Sequence, residues 1–143
     1  MNIIKLSGII GWVVLFSIPS FSQILFQNNH RESVNVAFAR YISTGPDTGW
    51  VTKGWSLVTP GSSVKVFNTI GTNDSIGYFA ITRISETPYP GKKDLLVRMN
   101  EPFLIKQADK EAVLLDHPEY EWRQFRLIRF QAGKTSGIIT FKD

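Results

Sequence analysis

Asp116-His117-Pro118-Glu119-Tyr120-Glu121 places one imidazole and three carboxylates within six residues. Histidine and carboxylate donors suit zinc or manganese, so the chemistry these residues could support is that of a small metal-dependent hydrolase. Asp116, His117, Glu119 and Glu121 are therefore the candidate metal ligands. The spacing argues for a solvated loop instead: Pro118 interrupts the segment, no helix-borne pair of histidines accompanies it, and the chain's only other histidine is His30, far upstream. Acid–base catalysis by two of these carboxylates would require them to be held a few ångströms apart with separated pKa values. Nucleophilic catalysis has less support, because no serine sits in a G-x-S-x-G elbow and both histidines fall in segments that read as mobile loops. The glycine patterns that cradle phosphates, G-x-G-x-x-G and the Walker motif, are missing as well. The expectation is a protein that is not an enzyme and needs no cofactor.

Binding chemistry has better candidates. Arg123, Arg126 and Arg129 recur every third residue among aromatics, a mixture found on single-strand nucleic-acid surfaces. On a strand, however, odd spacing sends Arg126 to the opposite face from Arg123 and Arg129, which splits the patch. Arg123 and Arg126 remain candidates for an anionic ligand or partner, and nucleic acid is not expected. Trp50 and Trp55 stand five apart in GWVTKGW, so in an unbroken strand they too would point to opposite faces. A bulge at Lys53-Gly54 would restore a shared face, glycine being a residue type that permits one. The two indoles would then be core anchors beside Val36, Phe38 and Phe79. The competing reading is an exposed aromatic platform that also draws on Tyr78 and Tyr89, since such rings combine large apolar area with a polar handle.

The elements that would position these residues have a period near two. Val34, Val36 and Phe38 alternate with smaller or polar residues, Trp50 to Val58 follows a turn-rich stretch, and Thr59-Pro60-Gly61-Ser62 reads as a turn leading by a hairpin into Val64 to Ile70. Gly77 to Ile84, Asp94 to Met99 and Phe103 to Lys106 read as further strands, Glu111 to Leu115 as a strand or helical turn, and Phe125 to Gln131 with Gly137 to Phe141 as a closing hairpin. About eight short strands with no long helical pattern predict an all-β fold, a small antiparallel sandwich or barrel-like domain.

At the N-terminus, Lys5, the apolar run Ile9 to Ile18, Pro19 and the small residues of Ser20-Phe21-Ser22 form a secretory signal peptide pattern. The run is well short of the roughly 20 apolar residues needed to span a bilayer. Residues 1–22 are thus read as a leader and 23–143 as a single β domain with no membrane span after cleavage, exported to the periplasm, the cell surface or the medium. Losing Lys5 lowers the formal charge only from +4 to +3. There is no cysteine in the chain, so a fold meeting oxidising conditions would rest on packing alone.

The fragments VAFARY, GWVTKGWSLVTPGS, GYFAI, FLIKQAD and FRLIRFQAGKTSGIITF resemble the bacterial family catalogued as domain of unknown function 1036, over residues 28–141. The most specific part is the signature formed by Gly49, Trp50, Gly54, Trp55, Pro60 and Gly61. Members of that family often carry cysteines after the Pro-Gly turn and in a later strand, where this chain has Ser63 and the Leu95 to Met99 region. The resemblance implies an exported β domain and no established activity, and it carries over no catalytic residue. The reading is an exported, non-catalytic binding or accessory module of the bacterial envelope, with an envelope protein or a glycan as partner and an oligomeric state left open; the alternative is the metal-dependent hydrolase.

Overall fold

The computed structural model describes residues 21–43, 45–46, 48–69, 75–107, 117–129 and 136–143. Within them the chain is all-β: β1 (Phe21–Asn28), β2 (Val34–Ile42), β3 (Gly49–Val58), β4 (Ser63–Thr69), β5 (Ile76–Thr82), β6 (Lys93–Val97), β7 (Phe103–Lys106), β8 (Glu121–Ile128) and β9 (Ser136–Phe141). Two sheets form, one of three strands in the order β4-β1-β9 and one of six in the order β6-β8-β5-β2-β3-β7. Neighbours are antiparallel except β1 and β9, which run parallel.

The central strands β2 and β5 are buried on both faces. Towards the smaller sheet, Val34, Val36, Ile76, Tyr78 and Ala80 pack on Ile24, Phe26 and Phe141. On the opposite face Ala37, Ala39, Phe79 and Ile81 join Leu95, Leu96, Val97, Phe103, Ile105 and Phe125. That second core exists because the larger sheet curls into a half-barrel around its own far face. Leu95, Leu96 and Phe125 are fully enclosed there, each contributing about 1.5–3 kcal/mol of apolar burial.

Polar side chains hold the curl closed. Thr52 of β3 donates its hydroxyl to the Leu96 carbonyl of β6 at 2.7 Å. Gln107, just past β7, accepts from the Leu96 N–H at 3.1 Å and donates to Thr52 Oγ1 at 3.0 Å. Its own N–H bonds the Trp50 carbonyl at 2.8 Å, which extends the β3–β7 ladder by one step. Thr52 and Gln107 are both buried, and among burial-prone positions such polar groups persist only when paired.

A second polar junction fastens one sheet to the other. Asn28, fully buried at the end of β1, donates its amide to the carbonyls of Glu32 and Val58, each at 2.8 Å, and accepts from the His30 N–H at 2.8 Å. His30 Nδ1 accepts from the Glu32 N–H at 2.9 Å, which leaves Nε2 to carry the proton towards Asp143 at 3.0 Å. The His30 segment is therefore tied down and is not the mobile loop its sequence suggests. Glu32 caps the turn after β5: its carboxylate accepts from the N–H groups of Ile84 and Ser85 at 3.1 and 3.0 Å.

Several expected pairings resolve differently. The Thr59–Ser62 turn forms, closed by the Ser62 N–H on the Thr59 carbonyl at 3.0 Å with Gly61 at φ 75°. It carries the chain from one sheet to the other, however, so β3 and β4 make no hairpin, and β4 pairs with β1. The closing hairpin is also absent: β8 pairs with β5 and β6, while β9 lies beside β1. β1 itself goes unread in the sequence and begins at Phe21, across the expected end of the leader. Glu111 to Leu115 lies outside the described residues.

Two predictions follow from the polar junctions. Gln107→Leu orphans the buried Leu96 N–H and lowers unfolding free energy in urea by about 1–3 kcal/mol. Combined with Thr52→Val the loss is less than the sum, by at least ~0.5 kcal/mol, because both changes strip the same carbonyl and hydroxyl partners. The Ser85 N–H first, then the Ser85 hydroxyl and the Ile84 N–H, hold the Glu32 carboxyl below its ordinary value of 4.5. A depressed folded-state pKa stabilises above that ordinary value and is lost as pH falls through the folded one. Hydrogen-exchange protection at Ile84 and Ser85, taken relative to the intrinsic amide rate at each pH, should thus fall on acidification, and Glu32→Gln should remove that pH dependence.

Candidate functional site

The Gly49–Val58 strand builds a substantial groove. Residues paired across strands share a face, and the registers Phe38↔Lys53↔Leu104 and Arg40↔Val51↔Lys106 lay two rows across β2, β3 and β7. Cationic and apolar side chains alternate both along and across these rows. The smaller sheet covers β2 but stops at its edge strand β4, leaving a groove of about 700 Å³ whose floor is Phe38, Arg40, Val51, Lys53 and Leu104 and whose wall is Lys65 and Val66. Leu104 is 64% exposed on that floor. No carboxylate contributes to the lining among the described residues, and Ser56 supplies the only hydroxyl.

Gly54 shapes the end of the groove. The register shifts between Val36 and Phe38, so Gly54 and Trp55 stand opposite the single residue Ala37. The bulge is therefore at Gly54-Trp55, one residue beyond the expected Lys53-Gly54. A Cβ at position 54 would lie 2.5 Å from the Phe103 ring, so glycine is what lets that ring cross the strand. The bulge does restore a shared face: Trp50 and Trp55, both half-buried, pack against the core inside the curl. Their neighbours are not Val36 and Phe38, which face the other sheet. Trp55 stands edge-on to Phe79 at 6.0 Å and Phe103 at 5.5 Å and donates its indole N–H to the Arg98 carbonyl at 2.9 Å. Trp50 meets Tyr41 at 5.6 Å, with the Lys93 ammonium 5.8 Å from its ring centroid.

The other candidate residues scatter. Tyr78 is only 6% exposed, its ring between Phe26 and Phe141, and burial pushes its hydroxyl pKa up; it is a core residue and offers no platform. Tyr89 is half-buried over Phe141 at 4.9 Å and donates its hydroxyl to the Lys142 carbonyl at 3.1 Å. Arg123 and Arg126 fall on opposite faces, as their spacing requires. Arg123 turns into the curl, 6.0 Å from the Phe79 ring, with Nη2 3.0 Å from Glu121, while exposed Arg126 stands beside Tyr78 at a smaller cleft of about 500 Å³ with Lys92 and Leu127.

Of the metal candidates, His117 Nδ1 lies 3.3 Å from Glu119, whose own backbone N–H and that imidazole hold its carboxyl below the usual range. The His117 ring stacks on Tyr120 at 4.7 Å, and Glu121 engages Arg123. Asp116 lies outside the described residues, among which no group of three or more histidine and carboxylate side chains has metal-binding spacing. Nor is any helix among them long and apolar enough to cross a membrane. Of the sequence candidates, then, only Trp55 borders the groove. Lys53, Lys65 and Leu104 were missed, and so was Trp122, 43% exposed on β8. Alternation along β3 does place Val51 and Lys53 on one face, but nothing local reveals that β4 belongs to a different sheet.

No protein-family model matches this chain, and no curated protein matches it.

Proposed function

We propose that this chain is an exported, non-catalytic binding module whose site is the groove between β4 and the floor of β2, β3 and β7, and whose ligand is anionic with an apolar part. The observation that carries the reading is the setting of Lys53 and Lys65 among Phe38, Val51, Val66 and Leu104, a lining that holds no carboxylate among the described residues.

Magnitudes decide between a simple anion and an amphipathic one. Exposed ion pairs contribute roughly 0.2–1 kcal/mol each, so the two lysines reach at most about 2 kcal/mol, short of the ~4 kcal/mol of even a millimolar complex. Covering apolar area adds about 25 cal/mol per Å², and exposed Leu104 beside Val51 and Phe38 offers such area. Charge selects the ligand and steers it in; apolar contact retains it. Export rests on the leader pattern of residues 1–22, and the resemblance to domain of unknown function 1036 is consistent with it while supplying no site residue.

N-terminal sequencing of the protein recovered from its native host should begin at Gln23; a chain starting at Met1 and retained in the cytosol would remove the export reading. For the groove, acidic oligogalacturonate and acidic peptide probes should shift the amide resonances of β3 and β4, and neutral or basic counterparts should not. Lys53→Glu should weaken acidic-probe binding at least ~10-fold with the melting profile retained, and raising salt should weaken it further. Unchanged binding in that variant would dismiss the groove as the site.

A further inference from the structure

We infer that the groove's occupant is an extended acidic peptide segment of a partner protein, which adds as a fourth strand beside β4 in the smaller sheet. The inference rests on the groove being the binding site and goes further in naming what binds and by which groups.

β4 ends the order β4-β1-β9, so β1 satisfies its ladder on one side, and among the described residues no strand pairs with its other side. An unpaired edge is a row of backbone donors and acceptors already spaced for another strand. The groove lies along β4, with Lys65 and Val66 in its wall. A strand added there would sit about 4.8 Å from β4, above the part of the larger sheet that the three strands leave uncovered, and would bury the exposed side chain of Leu104. A peptide backbone is the ligand whose own donors and acceptors repeat at the spacing of that row.

Parity specifies the sequence of the added strand. β4 alternates, with Ser63 and Lys65 exposed and Val64 and Val66 half-buried against the inter-sheet core. Laterally paired residues share a face and interact. Residues beside Lys65 are therefore acidic and on the outer face, while those beside Val64 and Val66 are apolar and turn down onto Val51 and Leu104; Lys53 on the floor acts on the acidic residues at a distance, through charge alone. The same lysine disfavours a second copy of this chain: antiparallel pairing of two β4 edges would bring ammonium groups together, and a charged edge is a known guard against self-association. The motif is an alternation of Asp or Glu with an apolar residue, no longer than the seven residues of β4.

Backbone N-methylation separates strand addition from charge attraction, since alternate residues of an antiparallel strand direct their N–H and C=O groups to opposite sides. The probe is acetyl-Glu-Val-Glu-Val-Glu-Val-amide, titrated into the purified chain by calorimetry beside its Lys-Val counterpart and two versions N-methylated on the Glu or on the Val residues. The acidic peptide should bind and the basic one fail. One methylation phase should weaken binding at least ~10-fold while the other stays within about twofold, and Lys65→Glu should reverse the preference between acidic and basic peptides. Absence of binding, or equal effects of the two phases, overturns strand addition. If oligogalacturonate then binds in a Lys53-dependent way, the anionic groove stands with a glycan as its occupant. If Lys53→Glu changes no probe, both readings fall.

Discussion

A buried amide takes the place of a missing strand. β6 and β7 are the two ends of the larger sheet, and instead of zipping into a closed barrel they are joined through Gln107 and Thr52, which satisfy the N–H and carbonyl of Leu96. Had those edge groups been left open, each would carry the cost of an unpaired buried polar group, about 1–3 kcal/mol. Because they are met, Leu95, Leu96 and Val97 can lie at zero exposure against Phe125 and Ile105 without a further strand. A cysteine-free chain thereby obtains two cores from one sheet: the inner face of the curl and the outer face under β1, β4 and β9.

The unequal size of the sheets leaves part of this architecture as an open groove. Three strands cannot cover six, and the Thr59–Ser62 turn sends β4 over β3, leaving β7 and the outer residues of β3 beyond the smaller sheet's reach. Asn28 fixes that crossing, holding Val58 through its amide while its backbone bonds Gly61 and Ser62 of the turn. The position of β4 over the floor is therefore set by buried hydrogen bonds and not by a flexible connection. Sites supported in this way keep their geometry before a ligand arrives, which limits the ordering cost of binding.

How much of this was readable in the chain depends on how far apart in sequence the deciding partners lie. Period-two alternation in Val34 to Phe38, the Pro60-Gly61 corner and the need for a bulge near Gly54 are local, and each forms, the bulge one residue late. Tyr78 was misjudged because alternation assumes one wet face, whereas all seven residues of β5 are buried between two cores. β1 went unread because it begins within the apolar leader's expected end and because Leu25, between buried Ile24 and Phe26, breaks the polar alternation. The hairpin expected for β8 and β9 failed because their partners are β5, β6 and β1, and turn chemistry carries no information about such distant pairing. The groove was unreadable for the same reason: Phe38, Lys53, Lys65 and Leu104 come from four strands, and only sheet order brings them together.

The paired tryptophans show how one local rule serves both core and surface. Without the bulge, continued alternation from Trp50 and Thr52 would send Trp55 outward, with Val51 and Lys53, onto the groove floor. The extra residue returns the indole to the inner core, where its N–H finds the Arg98 carbonyl, and leaves the floor to Lys53 and its neighbours. The aromatic side chains that suggested a stacking platform are thus the reason the surface is free to be cationic. The outer surface thus presents charge, an exposed leucine and a strand edge, with the indoles beneath it as the packing that holds β3 in place.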